Sequence, residues 1–170
     1  RGWLAETAKG LVEEEEKGGG GGEGGEGREE ALAGLMNQCA ELLEDLGRYA
    51  EAEPPHRRAL AIREVARGLE HPDTGSSAGN LAGLLESKGD YDAAEPLYRR
   101  ALAIREVALG DEHPDTASSV YNLADLLQTK GDLEAAEPLF RRELVALGKR
   151  RLSPPVELDA RSWDFALLLT

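Results

Sequence analysis

A single cysteine, Cys39, stands in 170 residues, so no disulfide can close within the chain. A reducing compartment, the cytoplasm, is the expected setting. Aromatic residues are scarce too, at 5% of the chain, which leaves the core to Ala, Leu, Ile and Val. Positive charge is in deficit: 20 Lys plus Arg face 33 Asp plus Glu, a formal charge of −13. Nucleic acids and anionic membranes are gripped by clustered Lys and Arg, so neither is an expected partner. A neutral or basic protein segment suits this balance better. No apolar run approaches the roughly 20 residues that span a bilayer; FALLLT, at 165–170, is far too short. The amino end has no signal-peptide apolar segment. It also lacks an initiator methionine, so Arg1 is expected to lie inside a longer protein.

What the chain does have is repetition. The phrase RRALAIREVA begins at Arg57 and again at Arg99, 42 residues later. At the same offset HPDT recurs at 71 and 113, NLA at 80 and 122, KGD at 88 and 130, and AAEPL at 93 and 135. Residues 71–102 align with 113–144 without a gap, and 22 of the 32 paired positions are identical. A fixed period of this length indicates stacked units, each packing on its neighbours. Three units are expected, at 29–73, 74–115 and 116–154. Residues 155–170 would open a fourth, because Asp164, Phe165, Ala166, Leu168 and Leu169 fall in register with Asn122, Leu123, Ala124, Leu126 and Leu127. Leu168 and Leu169 would then lack a partner, which predicts fraying or self-association at that end. Residues 1–28, with GGGGGEGGEG at 18–27, read as a flexible linker after a possible short helix in WLAETAKGLVEEEEK.

Each unit reads as two helices. Ala78, Leu81, Ala82, Leu84 and Leu85 make one apolar stripe at helical spacing. Gly89 is the expected left-handed stop, and Asp90 or Asp92 the cap of the next helix. Leu97, Tyr98, Ala101, Leu102, Ile104 and Ala108 put apolar residues on two faces of that helix, as one sandwiched between neighbours needs. Gly110 ends it. His113-Pro114 then restarts the cycle, with proline opening the next helix and Asp or Thr capping it. Pro54, Pro96 and Pro138 recur shortly after the turn and are expected in a first helical turn, where proline costs least. Glu53–Arg57, Glu95–Arg99 and Glu137–Arg141 are i, i+4 pairs with the acid first.

Gly89, Tyr91, Ala94, Tyr98 and Ala101, with Leu81-Ala82 upstream, resemble the tetratricopeptide repeat. The 42-residue period and AEPLYRRALAIREVALGDEHPDTASSVYNLADLLQTKGD are similar to its kinesin-light-chain-like branch. The resemblance covers about residues 29–147. It implies an all-α, right-handed α-solenoid of antiparallel helix pairs. It further implies that the first helices line a concave groove for a peptide. At matching positions that groove would comprise Asn37, Glu41 and Glu44; Ser76, Gly79, Asn80, Gly83 and Glu86; Ser118, Tyr121, Asn122, Asp125 and Gln128; and Trp163. Asn80 and Asn122 either contact a peptide backbone, since an amide both donates and accepts, or bond between helices. The sequence departs from the pattern at His56, where other units have Tyr98 and Phe140. It departs again at Glu143, where they have Ala59 and Ala101, and in LGKRRLSPP.

No catalytic constellation emerges. HPD at 71 and 113 matches the tripeptide of co-chaperone J-domains but sits here in the turn between units. Neither histidine has a second metal ligand near it in sequence. Cys39 falls in register with Leu81 and Leu123 and reads as a small buried residue; no base is recognisable to activate it. Ser76-Ser77 and Ser118-Ser119 lack a nucleophile elbow, and the glycine run lacks the Lys-Ser/Thr of a phosphate loop. No cofactor or metal is implied.

The expectation is a non-enzymatic scaffold that presents a groove to a protein or peptide. Tetratricopeptide proteins that bind chaperone tails hold a carboxylate with Lys and Arg, where Gly83 and Asp125 stand here. Kinesin light chains take acidic cargo peptides, which Glu41, Glu44, Glu86 and Asp125 would repel. Arg57-Arg58, Arg99-Arg100 and Arg141-Arg142 read as a solvated outer face. Two alternatives stay open. One is a kinesin light chain proper, partnered by a kinesin heavy chain through a coiled coil not seen in these residues. The other is a regulatory array of a larger enzyme or nucleotide-binding protein.

Overall fold

The computed structural model describes residues 25–151. They form six helices and no strand: α1 (Gly25–Asp45), α2 (Tyr49–Ala66), α3 (Pro72–Ser87), α4 (Tyr91–Leu109), α5 (Pro114–Lys130) and α6 (Leu133–Arg151). Helices pair as α1 with α2, α3 with α4 and α5 with α6, and the pairs stack through α2 on α3 and α4 on α5. The expected all-α solenoid of antiparallel helix pairs is the observed fold. Its first helix begins earlier than the sequence suggests. Gly25–Gly27, read above as coil, already belong to α1.

The turns explain why the period is kept. Gly47, Gly89 and Gly131 have φ of +71°, +80° and +85°, a region that a side chain disfavours. At each, the glycine N–H and the next residue's N–H reach back to the last turn of the helix. Gly89 donates to the Glu86 carbonyl and Asp90 to that of Leu85, both at 2.8 Å. These bonds satisfy carbonyls the helix end would otherwise leave open. Asp90 and Asp132 then cap the following helices, accepting from the Ala93 and Ala135 N–H groups at 3.2 Å.

Two local expectations change. The caps of α3 and α5 are His71 and His113, whose ring Nδ1 atoms accept from the Asp73 and Asp115 N–H groups at 3.2 and 3.1 Å. Imidazole thus does what Asp or Thr was expected to do. Thr74 is wholly buried and donates its hydroxyl to the Gly68 carbonyl at 2.8 Å, tying the turn to α3. Pro96 lies in the second turn of α4, not its first. The carbonyl that loses its bond, four residues back on Asp92, belongs to an exposed residue that water can reach.

Leucines fill the space between helices. Leu81, Leu84 and Leu85 of α3, and Leu123, Leu126 and Leu127 of α5, are exposed by no more than 2%. Alanines at 59, 78, 82, 94, 101 and 124 let helix axes approach. Glycines test this closeness. A Cβ at Gly79 would sit 3.9 Å from Ala101 Cβ, an ordinary contact, whereas at Gly75 it would meet Ile104 Cγ2 at 3.2 Å. Gly79→Ala is therefore expected to raise unfolding free energy by about 0.5–1 kcal/mol, by helix propensity and a less disordered unfolded chain. Gly75→Ala should lose that gain to crowding against a stiff β-branched side chain. Urea unfolding of both variants checks the contrast. Equal gains would show that the α3–α4 joint is looser than these distances.

Candidate peptide-binding groove

First helices of neighbouring units meet through short side chains. Asn37 Nδ2 donates to Ser77 Oγ at 3.1 Å, and Asn80 Nδ2 to Glu41 Oε1 at 3.1 Å. Second helices are bridged by long ones, Arg100 to Glu64 and Arg142 to Glu106. Units thus converge on the side of α1, α3 and α5 and spread on the side of α2, α4 and α6. The residues expected in a groove lie on the converging side, except Trp163, which falls outside the described residues.

Several of them are engaged within the array. Asn37 is buried at 6% exposure, and its Oδ1 lies 2.9 Å from Nδ1 of the fully buried His56. His56 Nε2 lies 2.7 Å from Glu44 Oε1. Asn37 is therefore a packing residue, not an open amide. One unit on, Tyr98 stands at the His56 register and donates its hydroxyl to Glu86 at 2.8 Å. Burial, and then this carboxylate, push the Tyr98 phenol far above its ordinary value. In the third unit Phe140 has no polar atom and Gln128 replaces the acid. Tyr121 instead sets its ring against Phe140, edge on, with centroids 6.1 Å apart.

The positions that break the repeat are coupled to that joint. A Cβ at Gly83 would lie 3.4 Å from the Tyr98 hydroxyl, so Gly83 stands where the large side chain packs, whereas one at Gly79 would meet Ala101 instead. Asn37 and Glu41 occupy the same register beside the smaller His56. Ser76 and Ser118 turn back to their own helices, donating to the Pro72 and Pro114 carbonyls at 3.1 Å.

What stays open clusters on α5. Tyr121 is 46% exposed, Asn122 and Gln128 are exposed, and Asp125 is half-buried. Asn80 is held by Glu41, while Asn122 faces Gly83 at the corresponding place and has no such acceptor. Gln38 was not singled out from the sequence. It is exposed and stands 42 residues before Asn80, so the period itself was the available signal.

Basic residues are scarce on the first helices, although Arg63 and Arg67 reach Glu30 of α1 from α2 and its C-terminal end. α3 contains no Lys or Arg, α5 only its terminal Lys130, and α1 only Arg28 near its start. Glu41, Glu44, Glu86 and Asp125 therefore have no Lys or Arg beside them on these helices. On the other side acids and bases pair. Lys88 bridges to Glu53, and Lys130 to Asp92 and Glu95 at 2.7 and 2.8 Å. The second arginine of the later two pairs is thus less free than a solvated face implies: Arg100 and Arg142 clamp adjacent units. Arg63 and Arg105 do so more deeply. Each donates to a serine hydroxyl of the next unit, Ser77 at 3.0 Å and Ser119 at 2.7 Å.

These pairs set a pH dependence. Hydrogen bonds from Lys88 and then Arg57 hold Glu53 below its ordinary value of 4.5; those from Lys130 and then Arg99 do the same for Glu95. Lys130 also lowers Asp92. A depressed carboxylate stabilises the fold above its unfolded value and loses that contribution as pH falls through its folded one. Stability should fall below about pH 4.5, modestly because solvent screens all three groups, and Lys130→Met should flatten that limb. Tyr98 is raised, so its contribution is present below its ordinary value of 10.0 and lost as pH rises beyond it. Alkaline unfolding should be steeper in the wild type than in Tyr98→Phe. Superimposable pH–stability curves for these variants and the wild type would refute the assignment.

Comparison with known proteins agrees with this geometry. The tetratricopeptide repeat model matches residues 31–106 and 78–144, more than half of the chain. The chain belongs to the tetratricopeptide repeat family. Among solved structures, BtubC (BKLC) from P. vanneervenii superposes with a TM-score of 0.67 at 24% identity, over 75% of this chain and 51% of that one. A kinesin-light-chain-like protein of Podosopora anserina, with nearly identical TPR-like repeats, gives 0.65 at 25% identity, over 71% and 58%. The chain thus spans little more than half the length of these structures. No curated protein sequence matches it. Tetratricopeptide arrays are in general protein-interaction scaffolds without catalysis of their own. No helix among the described residues is long and apolar enough to cross a membrane.

Proposed function

We propose that this array is a cytoplasmic interaction scaffold whose α3–α5 surface receives a basic, extended or helical protein segment. The observation that carries this reading is the charge division. Glu41, Glu44, Glu86 and Asp125 have no Lys or Arg beside them on α1, α3 and α5, while Lys88, Arg100, Lys130 and Arg142 are consumed in pairs with acids of α2 and α4. Such a surface attracts Lys and Arg and rejects acidic segments, so it supplies specificity as well as attraction. Tyr121 offers the aromatic anchor, and Asn122 and Gln128 offer amides to a peptide backbone.

Selection of displayed peptides on the immobilised array is the test. Enriched peptides should carry net positive charge and one apolar anchor. Asp125→Lys should weaken them about tenfold or more, as loss of a charge-assisted contact does. The pair Tyr121→Ala with Asn122→Ala should weaken them without unfolding the array, at a stability cost of about 0.5–1.5 kcal/mol from the lost Tyr121–Phe140 ring contact. Enrichment of acidic peptides, or binding indifferent to all three changes, refutes the proposal.

A further inference from the structure

Each joint between units carries one deep arginine, and the two arginines face different groups. In the first joint Arg63 donates to Ser77 Oγ at 3.0 Å, and its Nε and Nη2 donate to the Glu30 carboxylate at 3.1 and 2.9 Å. In the second, Arg105 makes the matching bond to Ser119 Oγ at 2.7 Å, but its Nη2 meets the hydroxyl of Ser76 at 3.1 Å. Its other bond is to the Asp115 carbonyl, and among the described residues it has no ion pair. The sequence accounts for the difference, because Pro72 stands 42 residues after Glu30 and α3 has no acid to offer there. Burial pushes the Arg105 guanidinium below its ordinary value, and the charge of Asp115 offsets this only in part. Arg105 is thus a cation held by neutral oxygens, and one of them belongs to a serine that solvent still reaches.

We propose that Ser76 is a phosphorylation site whose phosphate takes the place at Arg105 that the Glu30 carboxylate takes at Arg63. A protein kinase supplies the group from a nucleoside triphosphate. The Oγ–P bond forms, the bond from phosphorus to the leaving diphosphate breaks, and the hydroxyl proton passes to the kinase's base. The phosphate brings a charge of about −1.5 to −2 and three acceptor oxygens, and a planar guanidinium can take two of them at once. What is lost is the bond from the Ser76 hydroxyl to the Pro72 carbonyl. Asp73, three residues earlier on α3, and Asp115 on α5 oppose the new charge, but both carboxylates are exposed and water screens them. Register selects this residue among its equivalents. Gly34, Ser76 and Ser118 stand opposite Arg63, Arg105 and Leu147, so the middle unit alone sets a hydroxyl at this position against an arginine. Ser77 is fully buried and closed to a kinase. Because Arg105 also holds Ser119 of α5, the phosphate would fix α3 and α5 to each other through one guanidinium. Resting on the groove reading above, it would also add negative charge where a basic segment binds.

The 170-residue chain with phosphoserine encoded at position 76 tests the site whatever the kinase. In urea unfolding the phosphate should lower the unfolding equilibrium constant about tenfold, the effect of one charge-assisted hydrogen bond. In Arg105→Gln the same phosphate should give no gain, while Arg105→Lys, which keeps the charge but not the fork, should retain part of it. Phosphoserine at position 118, opposite Leu147, should give none. Phosphorus NMR should place the second ionisation of phosphoserine 76 below its ordinary value of about 6, and Arg105→Gln should restore it. A phosphate at 76 that stabilises no more than one at 118, or that ionises without regard to Arg105, overturns the proposal. Mass spectrometry of the chain from its own cells, with phosphatases inhibited, should find Ser76 phosphorylated; finding it unmodified throughout overturns the proposal too. Enrichment of acidic peptides by the unmodified array would sink the groove reading alone, and the unfolding and NMR results would still decide Ser76.

Discussion

Leu84→Ala is expected to lower unfolding free energy by about 3–5 kcal/mol, the range for deleting three carbons where surroundings cannot collapse. Leu84 has no exposed surface, on α3, a helix packed between α2 of the preceding unit and α4 of its own. In a solenoid each unit is supported mainly by its neighbours, so a cavity in that joint weakens two units at once. The same replacement at Leu126 removes an equally buried side chain from α5, which packs on both α4 and α6, and should cost a similar amount. Chemical denaturation monitored by circular dichroism measures both. A loss under about 1 kcal/mol at Leu84 would mean that the stacking interface relaxes easily, and the layered packing described above would be wrong.

His56→Ala is the second large effect, at about 3–5 kcal/mol, from a cavity combined with stranded polar groups. The imidazole is fully buried and joins the Asn37 amide to the Glu44 carboxylate. Alanine leaves buried Asn37 Oδ1 without its partner and opens Glu44 to water alone. His56→Tyr, which restores the residue type of the second unit, should also be destabilising, by about 1–3 kcal/mol from overpacking. Glu41 occupies the register where Gly83 stands beside the Tyr98 hydroxyl. Adding Glu41→Gly should therefore recover part of the loss in His56→Tyr, a coupling that a double-mutant cycle isolates. Strict additivity of the two changes would dissolve the proposed compensation.

The fold was legible because each unit repeats the same local instructions. Gly47, Gly89 and Gly131 mark the left-handed stops, and Leu81, Ala82, Leu84 and Leu85 mark the buried stripe. Those signals act over a few residues and need no knowledge of the neighbours. The candidate site was legible only in outline. Its helices and acidic character follow from the repeat, yet residue type alone did not tell Asn37 from Asn122, which stands one position later in register. One is buried against His56 and the other is open, because the difference lies in residues on other helices. Gln38 was overlooked for the opposite reason: glutamine was not recognised as standing in for asparagine in the same register. The histidine caps of α3 and α5 were missed because His was read as a turn residue rather than an acceptor.

By itself, then, the sequence determined the two-helix make-up of the three described units, their pairing and the acidic character of the first helices, since all three are written in period, spacing and composition. Tertiary structure alone decided which side chains remain available. Whether Tyr121, Gly83 or Cys39 faces water depends on what packs against it from the adjacent helix or unit. A residue's partner across an interface lies some 40 residues away in sequence, and burial is a property of that pair rather than of either residue.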